Sequence, residues 1–288
     1  MPIAALLLAA SAPAAAVPVT VPAACAGKDG WNDPTVPQNI ADNDWYVGTC
    51  GVTVVLISSP LGHVVIDGGP RGAGPLVARS IEAAGFRLQD VRWIVSSHEH
   101  HDHAGGIADL QRLTGARVAA TAPNAAVLRT GTPAPADPQA GGLSPFTPVR
   151  VDRVLADGET LRWGPIAITA HGTPGHSPGS TSWTWTSCTG ATCHRFAYAD
   201  SVSAISATGY RFADHPQYLA GFRRALATVA ALPCDVIITP HPAASGLFDK
   251  LAGTAPITDP NACKAYAANG SAALDARLVQ EMAPETGK

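Results

Sequence analysis

Four short apolar runs in this chain each break off into a loop crowded with histidine, aspartate or serine, and this recurrence constrains the fold more than any other feature. The segments are VRWIVSSHEHHDH (91–103), IAITAHGTPGH (166–176), RFAYADS (195–201) and DVIITPH (235–241), and they hold seven of the ten histidines. A short apolar run bounded by turn residues reads as a buried strand. Sites assemble on the loops beyond strand ends, so the pattern asks for several strand ends gathered around one centre.

The remaining segments fit that demand. Trp45–Cys50, Val52–Ser58 and Gly62–Asp67 read as strands, 73–85 as a helix ending at Gly85, and Ala104–Leu113 as a short helix stopped by Gly115. Arg117–Thr121 reads as a strand and Asn124–Thr130 as a helix. Further strands are expected at 151–155, 159–163, 165–170, 180–187 and 194–199, with helices over Pro216–Ala231 and 262–282. Gly270 interrupts the last helix at a cost of about 1 kcal/mol relative to Ala. The order predicts an α/β fold, with two sheets packed together and helices outside. It spans 17–288 as one domain with an N-terminal arm at 17–44. The proline- and glycine-rich stretch 131–148 is a loop long enough to be functional. Either it covers the groove and tunes substrate range, or it is an idle insertion.

Composition narrows the partners. Charged residues make up only 14% of the chain, the net charge is -3, and no basic stripe is present, which excludes nucleic acid and suits a small or neutral substrate. Residues 1–16 read as the apolar core of a secretory signal with small residues for cleavage near Ala14–Ala16, although a basic start is missing. No later run reaches ~18 consecutive apolar residues, so no membrane span is expected. Six cysteines, an even number, suit disulfides in an exported chain. Cys188 and Cys193 flank a short polar turn and are expected to pair with each other. Cys25 and Cys50 bracket the N-terminal arm, and Cys234 and Cys263 bracket the last loop before the C-terminal helix.

The first segment carries the most chemistry. On an extended backbone, residues two apart point the same way, so His98 and His100 can face one metal. Asp102 and His103 follow where the chain turns and can face a second. Imidazole with carboxylate suits zinc. Glu99 and His101 point away from the first metal. His176, in a Pro/Gly turn, and His241, between two prolines, supply one further ligand each. Three protein ligands per metal leave positions open, the pattern of catalytic zinc. His63, His194 and His215 lack such company and read as structural or surface residues, and His171 is at most a supporting one.

These residues resemble the metallo-β-lactamase superfamily, whose signature is the H-x-H-x-D-H segment. The resemblance runs from about Trp31 to the C-terminus and is nearest to the subclass B3 enzymes. It rests on Gly30-Trp31-Asn32-Asp33-Pro34, Trp45-Tyr46-Val47-Gly48-Thr49, SSHEHHDHAGG (96–106), TPGHSPGSTSWTW (173–185), YADSVSAIS (198–206) and TPHPAASGL (239–247). It implies an αββα sandwich of two mixed sheets with helices on the outer faces. It implies two zinc ions per chain, one on His98, His100 and His176, the other on Asp102, His103 and His241. Other subclasses place cysteine on the second zinc or asparagine in the first motif. Here position 98 is His and no cysteine falls in a ligand loop.

The resemblance further puts Ser201 and Ser203 near the metal-bound solvent and the substrate carboxylate. It matches the Cys188–Cys193 and Cys234–Cys263 pairs to disulfides seen in the subclass. The implied activity is zinc-dependent hydrolysis of the β-lactam amide bond of penicillins, cephalosporins and carbapenems. Water activated at the metals would attack, with Asp102 orienting it. A periplasmic monomer is expected. The rivals are a glyoxalase II-like thioesterase or lactonase on the same fold, and a non-catalytic metal-binding scaffold. The thioesterase would use Asp200 as an acid bridging both metals.

Overall fold

The computed structural model describes residues 20–283; the leader expected over 1–16 lies outside the described residues. A short helix α1 (Val21–Ala24) precedes a seven-stranded sheet. Its strands lie in chain order: β1 (Gln38–Ala41), β2 (Asp44–Tyr46), β3 (Val55–Ile57), β4 (His63–Ile66), β5 (Val91–Val95), β6 (Arg117–Thr121) and β7 (Arg153–Leu155). The strands from β1 to β4 pair antiparallel, and those from β4 to β7 pair parallel. The second sheet holds β8 (Thr160–Trp163), β9 (Ile166–Gly172), β10 (Thr181–Thr189) and β11 (Thr192–Tyr198) as antiparallel neighbours. It is closed by β12 (Val236–Ile238), parallel to β11.

Side-chain alternation decides how these layers stack. Val64, Ile66, Trp93 and Val95 point between the sheets, where they meet Ile168, Trp183, Phe196, Tyr198 and Ile238. Val65 and Ile94 point the other way, toward helices α2 (Gly74–Ala83), α3 (Ile107–Thr114) and α4 (Ala122–Thr130). Strands covered on both faces need apolar residues on both, which is why β4 and β5 are apolar apart from His63 and the exposed Arg92 near their starts. Truncating Ile94 to Ala would cost ~2–5 kcal/mol. On the second sheet, Ala197 and Ile237 meet helices α5 (Pro216–Ala230) and α7 (Ala262–Met282). The short α6 (Leu247–Leu251) touches α1, and Val21 and Leu247 join the inter-sheet core. The result is the expected αββα sandwich of two mixed sheets.

Four differences from the sequence reading have local causes. The arm is not wholly outside the fold, because Gln38–Ala41 and Asp44 enter the first sheet. The strand expected over 45–50 pairs with β1 only as far as Tyr46, since the chain turns back through Thr49, whose N–H donates to Val52 O. The helix expected from Ala104 starts at Ile107. Gly106 lies so close to Gly68 that a Cβ would sit 2.1 Å from the Gly68 carbonyl oxygen, so this stretch is a packed turn. Gly270 does not break α7. A Cβ there would meet Val202 at 2.7 Å and Leu226 at 2.9 Å, so the glycine lets α7 lie close against its neighbours. Disulfides join Cys25 to Cys50, Cys188 to Cys193 across the β10–β11 hairpin, and Cys234 to Cys263 at the start of α7. No cysteine is free.

Candidate metal centre

The loops after β5, β9, β11 and β12 meet. His98, His100 and His176 offer ligand atoms within 4.8 Å of one another, and all three are buried. Beside them, Asp102 Oδ2 lies 3.0 Å from His103 Nε2 and 3.4 Å from His241 Nε2, and the two imidazole nitrogens are 3.4 Å apart. His98, Asp102 and His103 also lie within the same 4.8 Å limit, so the two triads share a wall. Every residue expected in the two ligand sets comes to this centre.

The nitrogens turned away from the centre are held. His98 Nδ1 donates to Asp200 Oδ1 at 2.9 Å. His176 Nδ1 lies 2.9 Å from Ser203 Oγ and donates to the Ser203 carbonyl at 3.1 Å. His241 Nδ1 donates to the Gly51 carbonyl at 2.9 Å. His100 is held by the opposite nitrogen, with Nε2 donating to Asp137 Oδ2 at 2.9 Å. His98 Nε2 is buried and has no hydrogen-bond partner. A buried polar atom left unpaired is costly, and here it faces a set of nitrogens and one carboxylate that match a divalent metal. The residues therefore fit a metal.

Electrostatics agrees with that fit. Burial pushes His98 down to about 4, against the pull of Asp200, and pushes His176 down to about 3 with help from His98 and His100. Burial alone would raise Asp102, but the charge of His103 and hydrogen bonds from His103 and His241 hold it far below the usual carboxylate range. Asp200 is likewise drawn to about 2, its burial outweighed by His98. At neutral pH the centre thus presents neutral imidazoles at His98 and His176 with ionised carboxylates. Burial would lower His103, but Asp102 raises it, so a metal taken up at the second triad would displace a proton from His103.

Ser201 borders a cavity of about 300 Å³ together with Ser203, His241, Tyr266 and Asn269. Ser203, expected beside the substrate carboxylate, also lies against His176. Glu99 turns away from both triads and accepts from Ser177 Oγ at 2.9 Å and Gly179 N–H at 2.8 Å, which pins the His176 loop. His101 packs against Trp31 of the arm instead. His171 is not a supporting residue here; its Nε2 bonds Thr184 Oγ1 at 2.7 Å on the neighbouring strand. Asp200 Oδ1 reaches the outer nitrogen of His98, its Oδ2 is buried without a partner, and the residue falls in neither group of ligand atoms lying within 4.8 Å of one another.

Three contributors were missed. Asp67 ends β4 in a left-handed conformation, with φ of 68°, and accepts from Ser97 N–H at 2.7 Å and Tyr198 Oη at 2.8 Å. The signal existed, since this too is an apolar strand running into an acid. Asp137 and the Gly51 carbonyl carried no signal, as neither adjoins a histidine in the chain.

A family profile described as the metallo-beta-lactamase superfamily matches residues 47–192. A crystal structure of the metallo-β-lactamase MIM-1 from Novosphingobium pentaromativorans superposes with a TM-score of 0.90 at 51% identity, covering 92% of this chain and 98% of that one. MEM-A1, a subclass B3 metallo-β-lactamase from a soil metagenome library, superposes with a TM-score of 0.84 at 43% identity, covering 88% of this chain and 98% of its own. Among curated proteins, a hydroxyacylglutathione hydrolase of Acidiphilium cryptum is 34% identical over 104 residues, 36% of this chain. That match spans only 33% of the relative's length.

Proposed function

The chain belongs to the metallo-β-lactamase superfamily, alongside its subclass B3 enzymes, and from that premise we propose that it hydrolyses the β-lactam amide bond of penicillins, cephalosporins and carbapenems. His98, His100 and His176 would hold one zinc ion, and Asp102, His103 and His241 a second. When bound, such ions polarise a carbonyl and bring the pKa of water down to ~7.

The chain's residues supply the orientation. Asp200, Ser203 and Gly51 hold His98, His176 and His241 from behind with Nε2 turned to the centre. Outer partners of this kind fix the ring and its tautomer. Asp102, kept ionised by His103, orients the attacking water. Ser201 and Ser203, at the cavity with Asn269, receive the substrate carboxylate. Both triads come from one chain, so a monomer suffices. Three disulfides support an oxidising compartment, which we take to be the periplasm. Among the described residues no helix is long and apolar enough to cross a membrane.

The observation that carries this reading is the hydrogen bond between Asp200 and His98. A thioesterase reading, favoured by the partial match to hydroxyacylglutathione hydrolases, would use that aspartate between two metals. With Asp200 committed to His98 Nδ1 and Ser201 at the cavity, the lactamase reading is the better supported. The test is an assay of the zinc-loaded protein with nitrocefin, a carbapenem and a hydroxyacylglutathione, with and without chelator. Chelator-sensitive β-lactam hydrolysis is expected. Thioester turnover without β-lactam turnover would replace this reading with its rival.

A further inference from the structure

The candidate ligand histidines are not held alike. His98, His176 and His241 each commit Nδ1 to an outer partner. His103 brings Nε2 to Asp102 and His241. His100 commits Nε2 to a buried carboxylate that lies outside both ligand sets, with side-chain exposures of 3% and 1% for the pair. Only Nδ1 of His100 is then left for the first triad.

That carboxylate belongs to Asp137, in the proline- and glycine-rich loop 131–148. The loop is fastened along its length. Phe146 is buried and its N–H donates to Gly131 O at 2.9 Å, while Arg71 Nη1 donates to Pro145 O at 3.0 Å. In the middle, Ala207 N–H donates to Pro138 O at 2.8 Å, linking the loop to the segment that carries Ser201 and Ser203. Asp137 is set locally as well: its Oδ1 accepts from Gln139 N–H at 2.7 Å, an aspartate turn that aims the other oxygen at His100. Closing a long loop adds little entropy per residue, so such a segment can serve as a strut.

We propose that Asp137 is a positioning residue that holds His100 by Nε2 so that Nδ1 is offered to the metal, and that loop 131–148 is a strut of the first triad. This rests on the metal reading above, but one arm of its test does not need metal. In metal-free wild-type protein with ¹⁵N-labelled histidine, His100 should carry its proton on Nε2, with a downfield N–H resonance that disappears in Asp137→Ala. A proton on Nδ1 of His100 in the wild type would overturn the proposal, whatever the variants do.

The second arm measures both stepwise zinc affinities by chelator competition. In Asp137→Ala one constant should fall ~10–100-fold, the usual range for losing an outer partner, while the other moves far less. Asp137→Asn keeps an oxygen for the same N–H and should recover part of the loss. Wild-type affinities in a folded Asp137→Ala, or an Asn variant no better than Ala, would also overturn it. If wild-type protein bound no zinc at all, the lactamase reading would fail while the nitrogen assignment still decided the role of Asp137.

Discussion

The two candidate triads bring the same number of donor side chains but are built on different foundations. The first draws on the interior of the sandwich: His98 and His100 are backed by buried aspartates and His176 by Ser203. The second has one foot outside. Asp102 and His103 brace each other, but the His241 side chain is 36% exposed and leans on a backbone carbonyl, that of Gly51. Gly51 adjoins the Cys25–Cys50 disulfide, and Trp31 of the same arm packs on His241. The lesson is that ligand count does not set rigidity. Outer partners do, and here they differ in burial and in origin.

Removing a ligand from each triad gives the largest effect. His98→Ala should lose the zinc of the first triad and keep about one equivalent on Asp102, His103 and His241. His241→Ala should keep about one equivalent, held by the first triad. Both should lose carbapenem hydrolysis. Zinc content after dialysis, measured beside turnover, checks both. Near-normal carbapenem turnover in His241→Ala would remove the second triad from the mechanism.

The next effect tests the arm. Replacing Cys25 and Cys50 with serine frees α1 and the Gly51 turn. Closing a loop with a separation of 25 residues contributes about 3.5 kcal/mol in the chain-entropy model, so the variant should unfold at a lower temperature. It should also bind its second zinc several-fold more weakly while the first constant holds. Equal weakening of both constants would mean that the arm supports the fold as a whole and not His241 in particular.

What the sequence disclosed follows the same divide. The four strand-end loops were legible because an apolar run that stops at histidines is a local pattern. His98, Asp102 and His241 could be read from their own neighbours. The outer partners are long-range: Asp137 stands 37 residues from His100 among alanines and prolines, and Gly51 acts 190 residues away through a carbonyl that any residue possesses. The β1–β2 hairpin was hidden for another reason. Asn39, Asp42 and Asn43 read as loop residues, and only pairing with the sheet makes strands of their neighbours. The contact of Ser203 with His176 was likewise out of reach of the sequence, because it depends on how two separate loops approach.

Asp44 offers the smallest effect on the centre and so a control for the comparison. It is fully buried, its Oδ1 accepts from Trp185 Nε1 at 2.9 Å, and its Oδ2 has no partner. Burial pushes it up from 3.8 to about 8. A carboxyl raised in the folded state holds its proton more tightly there than in the unfolded chain. Its contribution to stability is therefore complete below the unfolded pKa and is lost as pH rises through the folded one. Between pH 4 and 8 the wild type should lose stability that Asp44→Asn retains, with a slope of at most ~1.4 kcal/mol per pH unit and a total on the order of a few kcal/mol. Denaturant midpoints at pH 5 and 8 measure this, and parallel pH dependence in the two proteins would refute it. Zinc affinities at either triad should not move. If they did, the foundations of the two triads would extend through the inter-sheet core, and the contrast between interior and arm would need to be redrawn.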